Sequence, residues 1–175
     1  MKMLSEKQAL ARLATIRDGV TKTIRDEYEQ KAAPCSKCLT PGACCLDAHF
    51  VNVRISRLEA VAINTVVDSL PLERATEIRE RIDRTITEFD LRPDAEDANK
   101  FACPLFEKGI GCLVHDLAKP IPCIVHACYG SAADLPPSAI TETAELAIDR
   151  LNTQTYGRPQ PLMPIPLAIR SNKLV

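Results

Sequence analysis

Residues 35–45 read CSKCLTPGACC. Four of the chain's eight cysteines fall in this stretch, and Cys44 and Cys45 are adjacent. The other four, Cys103, Cys112, Cys123 and Cys128, fall between 103 and 128. Thiols gathered this way can ligate a soft metal, exchange disulfides or act as nucleophiles. Cysteine used only as a small buried apolar residue should also occur on helix faces. Here all eight lie in stretches rich in Pro and Gly that lack helical periodicity, which points to ligation.

Cys35-x2-Cys38 has the spacing of a metal knuckle, in which two thiolates close on one ion while the loop turns back. The same spacing serves thioredoxin-like redox sites, but those need a helix opening at the second cysteine. Here Leu39-Thr40-Pro41-Gly42 follows, which reads as a turn. Neighbours in extended backbone point to opposite faces. Cys44 and Cys45 would therefore serve two nearby metals or two corners of a cluster, or one would ligate and the other be buried. Eight thiols suffice for two four-thiolate zinc sites, and equally for a cubane iron–sulfur cluster plus one zinc. Cys103-Pro104 is similar to the Cys-Pro that closes some ferredoxin runs, a hint toward iron.

The three histidines are secondary. His126, between Cys123 and Cys128, is the best placed to ligate or to donate a hydrogen bond behind a ligand. His49 reads as a solvent-facing or hydrogen-bonded residue, because the thiols already suffice, and His115 sits at a turn or helix start. Lys37, Lys108 and Lys119 lie near cysteines in sequence and would offset the charge of a thiolate site, although a solvated lysine is the usual case.

The pattern Cys35-x2-Cys38-x5-Cys44-Cys45, then Cys103-Pro104-Leu105-Phe106, then Cys112-Leu113-Val114-His115-x2-Ala118-Lys119-Pro120-x2-Cys123-x4-Cys128, resembles the YkgJ-type cysteine-cluster family. That family is described as a zinc- or iron-chelating domain headed by CxxCxxCC. The resemblance extends to Val53-x-Ile55-Ser56-x2-Glu59 and spans about residues 35–130. This chain has His115 where the family has Tyr, Lys119-Pro120 for Arg-Pro, and Ile124 for the Arg after a late cysteine. Its first loop is also longer. None of these differences touches a cysteine. The resemblance implies a metal-binding domain that uses all eight cysteines.

The elements that must hold these loops are helices. Leu10, Leu13, Ile16, Val20, Ile24 and Tyr28 recur at steps of three and four, and Ser5 with Gln8 forms a capping box, so a helix is predicted over Ser5–Gln30. Phe50, Val51, Val53 and Ile55 read as a short strand or an extended entry. Ser56 and Glu59 cap a helix opening near Arg57, with Leu58, Val61, Ala62, Thr65 and Val66 inward. Pro71 breaks it. The next helix, Leu72–Asp90, carries Ala75, Ile78, Ile82, Ile86 and Phe89 inward, with Glu and Arg on the opposite face. A polar loop follows, LRPDAEDANK.

KGIG between PLF and CLV reads as a short β-hairpin. Pro120 and Pro122 forbid a helix across their stretch. Ser138 caps a last helix with Ile140, Ala144, Ile148 and Leu151 inward. The tail from Gly157 holds four prolines in its first ten residues and should be extended, packed over the domain or reaching for a protein partner. The expected fold is mainly α: one small helical domain with two cysteine-rich metal-binding loops and a short hairpin. Its parts are an N-terminal helix at 1–33, the cysteine-cluster domain at 34–130, a C-terminal helix at 131–156 and a Pro-rich tail at 157–175.

The chain has 175 residues, enough for one domain with a real core. Aromatics are only 4% and Trp is absent, so Leu, Ile, Val and Ala must build that core and a metal staple would help. Loops 35–45 and 101–130 look too poor in apolar residues to fold by themselves. A net charge of −1 argues against a protein that mainly grips nucleic acid or an anionic membrane. The N-terminus lacks a signal-peptide pattern, so a cytoplasmic setting with reduced thiols is expected.

The leading functional expectation is a metal-binding protein holding Zn2+ or iron, the latter as an Fe–S cluster, rather than a stand-alone enzyme. The alternatives are an iron–sulfur oxidoreductase, or a component of a protein-modifying system, since a related cysteine-cluster domain occurs in flagellin lysine N-methylases. This chain shows no Gly-rich cofactor loop to support the latter. A further alternative is an interaction module with the tail as its arm.

Overall fold

A computed structural model describes residues 3–33, 40, 42–46, 52–93 and 100–172. Among them are α1 (Glu6–Glu27), α2 (Ala43–Leu46), β1 (Arg54–Ile55), α3 (Arg57–Asp68), α4 (Leu72–Glu88), β2 (Phe106–Glu107), β3 (Gly111–Cys112), α5 (His115–Ala118), α6 (Ile121–Val125), α7 (Ser138–Tyr156), β4 (Met163–Pro164) and α8 (Ile165–Ser171). The fold is mainly helical, with two small antiparallel pairings, β1 with β4 and β2 with β3. Among the described residues no helix is long and apolar enough to cross a membrane.

The chain packs as two compact units, each assembled from two separated segments. The first comprises Met1–Pro41 and Lys119–Gln160, and the second Gly42–Ala118 and Pro161–Val175.

In the first unit α1 packs on α7 and α6. Ser5 and Gln8 form the predicted capping box. The buried face of α1 is Ala9, Leu13, Arg17, Val20 and Ile24, while Leu10 and Ile16 are only half-buried at its edges. The Leu4 N–H donates to the Gln154 carbonyl at 3.1 Å and the Tyr156 hydroxyl bonds Glu6 at 2.9 Å, which sets the start of α1 beside the end of α7. Ala144, Ile148 and Leu151 face inward as expected. The cap of α7 is Pro137, one residue before the predicted Ser138, which forms the first helical position and makes no side-chain cap. Gly157 ends α7 in the left-handed region, at φ 78°, where a side chain would be strained.

Two expectations about this stretch are corrected. A short helix does form at Ile121–Val125 despite Pro120 and Pro122. Pro120 is its cap and Pro122 lies in its first turn, where the missing N–H would have had no helical partner. Cysteines also do occur in helical turns: Cys123 in α6, and Cys44 and Cys45 in α2.

In the second unit the Ser56–Glu59 capping box opens α3 as predicted. Its buried face is wider than the sequence stripe. Ile63, Asn64 and Val67 are buried and Thr65 is exposed, because α3 is flanked by α8, α5 and α4. Helix α4 buries Ala75, Ile78, Ile82 and Ile86 as expected. Strand β1 pairs with β4, Arg54 opposite Pro164 and Ile55 opposite Met163. Phe50 and Val51, assigned to that strand from sequence, lie outside the described residues.

The proline-rich tail packs. Its prolines frame a strand and a helix: Pro164 pairs in β4 and caps α8, and Pro166 sits in the first turn. Ile165, Pro166, Leu167, Ala168 and Ile169 are all buried. Asn64, with no exposed surface, donates from Nδ2 to the carbonyls of Ile169 and Asn172, each at 3.0 Å. Those donations satisfy carbonyls that the end of α8 leaves open. The stretch 101–118 is less poor in core residues than it looked, since Phe101, Leu105, Val114 and Ala118 are buried.

Candidate metal centre

The hairpin KGIG forms as predicted, with Phe106 opposite Cys112 and Glu107 opposite Gly111. It is seated on the turn α2 by the backbone. The Cys103 N–H donates to the Cys45 carbonyl at 2.7 Å, and the Cys45 N–H donates to the Gly42 carbonyl at 2.8 Å. The Phe106 N–H donates to the Cys103 carbonyl at 3.1 Å and the Leu113 N–H to the Leu105 carbonyl at 2.9 Å. The Phe106 ring lies on Gly42 so closely that a Cβ there would overlap it, and Gly42 has φ 84°. Gly42→Ala therefore meets both a left-handed backbone penalty and an overpacked ring. It should lower stability by roughly 2 kcal/mol or more, read as a drop in the urea midpoint.

This arrangement gathers Cys44, Cys45, Cys103 and Cys112, all half-buried and none in a disulfide. Cys44 and Cys45 are in a helical turn and not in extended backbone, so their side chains diverge by about 100° and not 180°. Burial, followed by the neighbouring Cys103, Cys44 and Cys112, pushes the Cys45 thiol up from 9.0 to about 12. Among the described residues no three Cys, His, Asp or Glu side chains are placed to hold a metal ion. Both facts hold, because charge coupling acts over several ångströms while a zinc–sulfur bond needs about 2.3 Å.

The raised Cys45 value sets a pH window for the metal-free chain. Between 9.0 and about 12 the unfolded thiol ionises while the folded one keeps its proton. The contribution to stability is present below that window and lost as pH rises through it. Urea midpoints of metal-free protein should fall across this range, and Cys45→Ala should flatten the fall.

Cys103 and Cys112 join Cys44 and Cys45 in the second unit, whereas Cys123 and Cys128 belong to the first. There the Cys128 carbonyl accepts the Ala33 N–H at 2.8 Å. Cys123 is half-buried and Cys128 exposed. Cys35, Cys38 and His49 lie outside the described residues, as does Lys37. His126 is at the surface of its unit, where the atoms packed behind its ring and then the charge of Lys119 hold it below the ordinary imidazole value. His115 is exposed at the start of α5, and Lys108 is exposed at the hairpin turn.

Arg74 and Arg81 lie seven residues apart on α4, on a half-buried edge rather than the solvent face assigned to the helix's charges from sequence. Arg74 is ion-paired with Glu107 of the hairpin and with Glu77 at 2.8 Å, which docks α4 against the hairpin. Arg81 has Nε and Nη2 buried and without a hydrogen-bond partner among the described residues. Burial, then the nearby Arg74, pull its guanidinium below its ordinary value, while the charge of a Cys103 thiolate would hold it up. The signal in the sequence was the run Arg74, Ile78, Arg81, Thr85 at helical spacing, which a reading of arginine as solvated passes over.

Fold and site together define a mainly helical protein with a half-buried thiol cluster in its second unit. No family model matches the chain, and no curated protein or solved structure matches it.

Proposed function

We propose that the chain is a metal-binding protein, holding zinc or iron through the thiolates of Cys44, Cys45, Cys103 and Cys112. The observation that supports this most is the gathering of four thiols from three separate stretches around the half-buried Cys45. Thiolates crowded in that way repel one another, and a thiophilic cation relieves the repulsion by replacing their protons. The donor set is all sulfur, which suits zinc or an iron–sulfur cluster and not magnesium or calcium. Cys35, Cys38, Cys123 and Cys128 are proposed as the donors of a second centre, with His126 as a hydrogen-bond donor beside it. The metals take over part of the work of a core that is poor in aromatics.

Purification without oxygen followed by elemental analysis tests the reading. Zinc in a colourless preparation supports structural sites, and a brown preparation with broad visible absorbance and matching iron and sulfide supports a cluster. Protein free of both metals would sink the proposal.

A further inference from the structure

We draw no further inference here: the strongest candidate, the surface of the second unit where Leu72 of α4, Ile110 of the hairpin turn and Leu117 of α5 stand exposed, carries nothing because nothing in the structure shows what covers it.

Discussion

A chain cut after Gln160 should fail to fold its second unit. The cut removes β4 and α8, and with them Ile165, Leu167 and Ile169, each no more than 2% exposed. Burying such side chains stabilises by roughly 1.5–3 kcal/mol each. Three of them rival the roughly 5–15 kcal/mol that separates a whole domain from its unfolded state. The cut also leaves the Nδ2 of Asn64 in the middle of α3 without the carbonyls of Ile169 and Asn172. It strips β1 of its strand partner as well.

Circular dichroism should show lost helix. Hydrogen exchange should show α3 and α4 unprotected, while α1 and α7, which belong to the other unit, keep slow amides. Protection of α3 equal to that in the full chain would contradict a core role for the tail. The milder Asn64→Ala tests the same anchor alone and should cost about 1–3 kcal/mol, because it leaves buried carbonyls unsatisfied.

The second large effect concerns the metal. On the proposed reading, Cys103→Ser removes one of four thiolates. Structural zinc sites of this kind bind with roughly 10–16 kcal/mol in all, so one ligand of four represents about 2.5–4 kcal/mol, on the order of 100- to 1,000-fold in affinity. Serine keeps the backbone N–H that donates to the Cys45 carbonyl at 2.7 Å, so the hairpin stays seated and the effect is confined to the sulfur. Cys112→Ser should lose the same equivalent of metal, and Cys128→Ser, in the other unit, should leave that equivalent in place. Elemental analysis of the three variants checks this. Equal metal content in Cys103→Ser and wild type would exclude Cys103 as a ligand.

Much of the helical frame was written locally. Ser5 with Gln8 and Ser56 with Glu59 formed the capping boxes their spacing announces, because a capping box is closed by residues three apart. The stripe Ala75, Ile78, Ile82, Ile86 identified the inner face of α4, and the Lys108-Gly109-Ile110-Gly111 turn identified the hairpin, with Gly109 and Gly111 both at positive φ.

What the sequence could not supply was long-range partnership. The cysteines form two clusters along the chain, yet Cys44 and Cys45 meet Cys103 and Cys112, while Cys123 and Cys128 fall in the other unit. That division depends on where the chain passes from one unit to the other, which no local rule encodes. The prolines of the tail left two readings, a segment packed over the domain or an arm, with its apolar residues favouring packing. Pairing with Arg54 and Ile55 and the cover of α3 made that segment core, because apolar residues after a proline are free to start a helix once something covers them. Arg81 read as a surface charge on an amphipathic helix. Only tertiary packing left its Nε and Nη2 buried, on a helix that Arg74 ties to Glu107 of the hairpin. Residue types and spacings determined the helices and the hairpin; tertiary packing decided which segments build each unit, because that depends on contacts between residues far apart in the chain.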